Sequence, residues 1–296
     1  MPIFDQGYRP YEGTLVNRLF RWWPISITCL KTVKRRPFVM LLIASLVPLI
    51  VQLVKVWLAS EGHADELGGI PIEIFWRLND ALFFELFYSE IFFTALLMIV
   101  VGAGQIAEDF RTGAQQIYFS RPITHVDYVL GKLGAVVMAG LLTTFVPALI
   151  LFVLICGLAP DWTFLTGNPW LPLKFTGFAL VISVTLGSLV LAISALGRRG
   201  LFVGITFGGI YFLSMILGQV LPRVFDRDRR WEVVHIGKAL DAVGLTFFDR
   251  SEVFTLVNRW QEPQGEPGAA WMIVAGLVLF SLVVLSRKIR AVEVVS

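Results

Sequence analysis

QIAEDFRTGAQQIYFSRPITHVDYVLGKL, residues 105–133, carries Glu108, Asp109, Arg111, Arg121, Asp127 and Lys132, and it lies between two of the longest apolar runs of the chain. A run of about 20 mostly apolar residues crosses a bilayer as a helix, because hydrocarbon offers no partner to a bare backbone group. Residues 87–106 and 133–157 meet that length. The quoted stretch is therefore a polar connection between two membrane spans.

Its internal pattern predicts structure. Phe110, Ala114, Ile117 and Tyr118 recur at the spacing of one helical face, so a short helix is expected over 108–120, with Asp109, Arg111, Thr112, Gln115 and Gln116 on its other sides. Arg121–Pro122 stops it, since the residue before proline avoids the helical region. Thr124 followed by Asp127 has the spacing of a capping box and starts a new helix. From His125 to Gly157 that helix spans about 50 Å, against about 30 Å of hydrocarbon. It is expected to project from the bilayer with the short helix at its tip.

Working outward, the 296 residues are 56% hydrophobic and 16% charged, where soluble domains are nearer a quarter charged. The apolar excess falls in blocks. Six spans are expected, at about 38–58, 87–106, 133–157, 173–196, 201–221 and 269–285, in one all-α membrane domain covering 1–296. One side of this arrangement collects fifteen basic residues against six acidic ones. Basic loops face the cytoplasm, so both termini and the 105–133 connection are expected there. Residues 14–36, basic and bearing Trp22 and Trp23, are expected to lie in the headgroup layer, bent at Pro24. Residues 72–87 are expected to lie as a helix on the outer surface, with Glu85 and Glu90 near it. Residues 222–268 form the largest outer piece, with an amphipathic middle.

Several chemistries are excluded. The three histidines, His63, His125 and His235, all fall outside the expected spans, and there is no HExxH or CxxC. No catalytic constellation and no metal site follow. Ser183, Ser188 and Ser194 have no histidine at matching depth and are assigned to helix packing. Cys29 and Cys156 are too few and too far apart for a disulfide framework and are taken as packing residues. Gly131–Lys132 fails the phosphate-loop pattern, because Val126 and Leu133 stand where glycine and Ser or Thr are needed. The net charge of +3 argues for no nucleic-acid partner. The spans are nearly free of charge, which weighs against ion coupling within them and implies that any driving energy enters from another chain.

The run E-D-x-R-x-G at 108–113, then S-R-P at 120–122, then D-Y-V-L-G-K at 127–132, between the second and third of six spans, resembles the cytoplasmic coupling segment of ABC-2 type transporter permeases. The resemblance extends to the layout, with a basic amphipathic elbow before the first span and a larger outer loop between the fifth and sixth. It implies a permease that is not itself an enzyme and carries no cofactor. ATP and Mg would sit on separate ABC ATPase subunits, and a second permease copy or a homologous permease would complete the path through a bacterial plasma membrane, in export. It places Glu108, Asp109, Arg111 and Gly113 on the coupling helix and Arg121, Pro122, Gly131 and Lys132 on the return into the third span. Gly204, Gly208 and Gly209 become candidates for the dimer seam and translocation path, where small residues allow close approach. The plainer alternatives make Arg121 and Lys132 membrane anchors, Asp109 and Arg111 a solvated face, and Gly113 a packing allowance. The competing function is a scaffold that recruits cytoplasmic partners and transports nothing.

Overall fold

The computed structural model describes residues 20–60, 79–119, 123–158, 167–225, 229–248 and 267–293. Among these the helices are α1 (Trp22–Thr32), α2 (Arg35–Ser60), α3 (Asn79–Gly102), α4 (Ala107–Thr112), α5 (Ala114–Phe119), α6 (His125–Leu158), α7 (Leu171–Leu196), α8 (Gly200–Val224), α9 (Ile236–Gly244) and α10 (Pro267–Glu293). A 3-10 turn covers Arg229–Val234, and no strand occurs among the described residues.

Six helical stretches are long and apolar enough to cross a membrane: Arg35–Trp57, Asp80–Thr112, His125–Gly157, Leu171–Leu196, Gly200–Val224 and Pro267–Ile289. Their outward faces are apolar. Met40, Ile43, Val47 and Ile50 on α2, Leu201 and Ile205 on α8, and Met272 and Phe280 on α10 are all exposed. A water-soluble chain does not present such continuous apolar faces, whereas lipid accepts them. The chain is an all-α, multi-pass membrane protein.

α7 is the central helix. Its apolar stretch is 72% buried, against 22% for the peripheral α2 and α10. Away from α1, the bundle is filled by aromatic rings: Phe83 stacks on Phe175, and Phe178 meets Phe87, Phe247 and Phe248. Midway through, hydroxyls replace rings, and Thr94 of α3 hydrogen-bonds Thr143 of α6 at 2.9 Å.

The capping box forms as the sequence predicts. The Thr124 N–H and hydroxyl donate to Asp127 Oδ2 at 3.1 and 2.8 Å, and the Asp127 N–H donates back to Thr124 Oγ1 at 3.2 Å. α6 then runs unbroken for 34 residues. Its early turns do not stand free, because α1 packs along them. Gly131 and Gly134 lie against Ile25, Ser26 and Trp22, and Ser26 Oγ donates to the Gly131 carbonyl at 2.7 Å.

Other expectations are corrected. The second span begins near Asn79, and its first two turns are interior rather than surface: Leu82, Phe83, Phe84, Leu86 and Phe87 are buried. Of the charges that suggested a surface helix, Asp80 pairs with Lys174 of α7, while Glu73 and Arg77 lie outside the described residues; Glu85, expected near the outer surface, pairs with Lys55 of α2 at 2.6 Å. The rest of that expected surface helix, 72–78, lies outside the described residues. Glu90 is wholly buried among the helices. Pro24 does not bend α1, since it sits in the first turn, where the missing N–H would have had no helical partner. Residues 14–19 lie outside the described residues. In the 222–268 piece, α8 continues to Val224, and α9 is buried on every residue except Lys238, packed among α3, α8 and α10. Phe248 reaches the aromatic cluster, and Trp271 Nε1 donates to Thr246 Oγ1 at 3.3 Å. This piece re-enters the bundle end because its apolar side chains find more cover there than on a headgroup surface. Residues 249–266 lie outside the described residues.

Candidate functional site

The connection between the second and third spans is two short helices, not one. α4 ends at Gly113, whose φ of 70° is left-handed, and its N–H donates to the Asp109 carbonyl. A β-carbon there would meet nothing within 4 Å, so glycine is required by backbone conformation and not by packing. The break rotates the second half. Gln115 becomes buried, and Ile117, expected on the covered face, is 66% exposed.

α4 is tied down by a buried ion pair. Lys132 Nζ, on α6, lies 2.6 Å from Asp109 Oδ2 and donates to the Gln105 carbonyl at 2.7 Å. The two side chains are only 3% and 17% exposed. The Tyr128 hydroxyl donates to the same Asp109 oxygen at 2.7 Å, and the rings of Tyr118 and Tyr128 flank the ammonium at 5.8 and 5.4 Å. Every charge in the cluster is therefore paired or hydrogen-bonded, the condition under which ionised groups persist in a low dielectric.

The same short segment touches three more helices. Residues 103–106 leave the helical ladder, and Ser194 of α7 fills the gap: its hydroxyl accepts from the Ile106 and Ala107 N–H groups, each at 3.1 Å, and donates to the Ala103 carbonyl at 2.9 Å. Glu108 accepts from Arg111 Nε at 2.6 Å and from the Gly200 N–H, at the start of α8, at 3.3 Å. Gln105 Nε2 donates to the Cys29 carbonyl of α1 at 3.4 Å. Cys29 itself is buried and free, and burial pushes its thiol up. Burial likewise raises the Tyr118 phenol.

The candidate residues divide accordingly. Asp109 and Lys132 form the buried latch, and Gly131 gives α1 room, since a β-carbon there would lie 2.6 Å from Ile25 Cβ. Arg111 and Glu108 stand at the surface, 57% and 42% exposed. Arg121 and Pro122 lie outside the described residues. Gly204 and Gly208 face Ile99 of α3 within the chain, and Gly209 points outward with nothing within 4 Å of a β-carbon. Gly208 lines a shallow apolar groove between α3 and α8 with Phe92, Ile99, Phe207 and Phe212. Sequence reasoning missed Gln105 and Tyr128 as members of the site, although Tyr128 was legible as a phenol one turn from Lys132; Ser194, assigned to helix packing, does bridge two helices.

A second polar group sits where α9 meets α3 and α8. His235 packs its ring edge on Tyr211, and Lys238 Nζ lies 5.3 Å from the Tyr88 ring centre. Burial pushes the Asp241 carboxyl up to about 7 and holds the His235 imidazole down to about 4. Among the described residues no group of His, Cys, Asp or Glu could hold a metal ion.

No protein-family model matches the chain, and no curated protein matches it.

Proposed function

We propose that this chain is the membrane-spanning permease of an ABC-2 type transporter, working in export as a pair of permeases and driven by separate ATP-binding subunits. In this reading α1, α4, α5 and both termini lie on the cytoplasmic side of a bacterial plasma membrane, and α1 is the elbow.

The observation that carries the reading is the way α4 is connected. Its exposed side offers Arg111 and Thr112, and α5 offers Gln116 and Ile117, to an outside partner. Its inner side is bonded to α6 through Lys132 and Tyr128, to α7 through Ser194 and to α8 through Gly200. A push on the exposed side therefore displaces the ends of three spans together. A plain loop has no need of a buried ion pair, a left-handed helix cap and a capping box within 24 residues (109–132). The α3–α8 groove, apolar and bounded by Phe92, Phe207 and Phe212, is where cargo or a second permease would meet the chain.

The test is association with the ATPase. Asp109 is unsuited to charge reversal, since it holds the latch; Arg111 and Ile117 are exposed. Arg111→Glu combined with Ile117→Asp should abolish co-purification of an ATPase while the melting temperature of the permease stays within a few degrees of the parent. Retention of the ATPase by that variant, or its absence from the parent complex, would overturn the reading.

A further inference from the structure

Glu90 is 0% exposed on the span α3, and neither of its carboxylate oxygens has a hydrogen-bond partner. It shares a face with Phe83, Leu86, Thr94 and Leu97, all buried, so it points into the bundle and not toward lipid. Nothing in the latch or the groove uses it.

Its depth follows from contacts on either side. The Lys55–Glu85 pair sets the antiparallel register of α2 on α3. From there Glu90 lies about 7.5 Å further into the bundle along α3, and Gln52 about 4.5 Å in the same direction along α2. The two residues are thus within about 3 Å of the same level. Gln52 is 3% exposed, and its Oε1 is also a buried oxygen without a partner. On α6 the Thr94–Thr143 bond places Pro147 at this level. Pro147 has no N–H to give the Thr143 carbonyl. Gln52 Oε1 is therefore an acceptor without a donor at the level of Glu90 on a neighbouring helix, and Pro147 supplies no N–H there.

A carboxylate would add two more acceptors to that set. A carboxylic acid adds an O–H, the one missing donor. Among the described residues no cation is placed to pair with Glu90 as an anion. On the elements packed against α3, Lys55 is engaged by Glu85, Lys132 by Asp109 and Lys174 by Asp80. Lys238 of α9 lies on the Tyr88 ring, beside His235 and Asp241. Arg223 of α8, Arg35 and Arg36 of α2, and His125 and Asp127 of α6 are at helix ends, while Tyr211 and Cys156 bring no positive charge. An isolated anion in this position is costly enough that the group takes up a proton instead.

We propose that Glu90 is an intramembrane proton-binding site, loaded as the neutral acid at the seam of α2, α3 and α6 and exchanging from the face that carries Lys55 and Asp80. The step is a simple equilibrium: a proton leaves water, binds the carboxylate and cancels its charge, with no bond to carbon made or broken. Exchange favours that face because Glu85, whose side chain is 24% exposed, is only about 7.5 Å away, whereas Gln105 at the other end is about 22 Å away along the helix. Opening of α2 from α3 admits water and releases the proton; closure needs it back. The proposal stands apart from the ABC-2 reading, since it needs no partner chain.

The test is infrared difference spectroscopy of the full chain in lipid vesicles, parent against Glu90→Gln. At neutral pH the parent should show the carbonyl band of a protonated carboxylic acid that the variant lacks, and the band should fall about tenfold per pH unit once past its midpoint. Glu90→Gln, an isostere of the neutral acid, should keep the parent's melting temperature, so loss of the band is not loss of the fold. Absence of the band at neutral pH overturns the proposal. So does a band that never titrates while the fold survives, which would mark a sealed structural acid. Loss of the band on adding sodium ions at constant pH would make this a metal-cation site and also overturn it.

Discussion

Lys132→Met is the sharpest test of the latch that ties α4 to α6. The substitution keeps most of the side-chain volume and removes the charge. It leaves Asp109, 17% exposed, with the hydrogen bond from the Tyr128 hydroxyl, and it leaves the Gln105 carbonyl without the ammonium that satisfied it at 2.7 Å. Breaking one side of a buried pair costs about 3–5 kcal/mol, chiefly the penalty of the charge left behind. Removing both charges, as in Lys132→Met with Asp109→Asn, leaves no orphan ion and is expected to cost about 1–2 kcal/mol. Asp109→Asn alone strands the Lys132 charge at a similar cost, so the double variant should be more stable than either single variant, a coupling of at least about 4 kcal/mol. Unfolding of the purified chain in mixed detergent–denaturant micelles, followed by far-ultraviolet circular dichroism, measures all three. Strictly additive costs, or a single-variant loss below about 1 kcal/mol, would refute the claim that a paired, dehydrated ion pair holds α4 in place.

Gly131→Val places carbon atoms where Ile25 Cβ already stands 2.6 Å from the first of them, so α1 should lift from α6 at a cost of about 1–3 kcal/mol, and buried Cys29 should become reactive to maleimide. Unchanged Cys29 labelling would show that α1 is not held there. For Asp241, pushed up to about 7, the folded chain keeps a proton that the unfolded chain releases above about pH 4. Stability is then highest at the acid end, falls as pH rises from about 4 to about 7 and levels off above, a penalty of up to about 4 kcal/mol. Asp241→Asn should match the parent near pH 4 and gain on it progressively toward neutral pH. The His235 imidazole, held down to about 4, destabilises the fold as pH falls below about 6.5, but it does so in parent and variant alike and drops out of the difference. Melting temperatures across that range check the result, and a pH-independent gap would mean that Asp241 is ionised in the fold.

Span existence was legible because a bilayer imposes one length and one composition on every crossing helix. The start of α6 was legible because a capping box is made by residues three apart, and Thr124–Asp127 formed. The single short helix over 108–120 failed at Gly113. Periodicity sees which residues repeat, but a left-handed cap interrupts the phase without changing the composition. The second span was started too late because Asp80 and Glu85 look solvated when read alone. Lys174 and Lys55 lie 94 and 30 residues away, and no local window contains them.

By itself the sequence determined an all-helical membrane chain, six crossings and a structured polar connection between the second and third, since those depend on hydrophobicity, caps and charge that are local along the chain. Only the tertiary structure decided which charges are latches and which are surface. Lys132 is a buried partner of Asp109, Arg111 faces outward, and Glu90 is alone in the interior. The physical reason is that the cost of a charge is set by its surroundings, and those surroundings come from helices far apart in sequence.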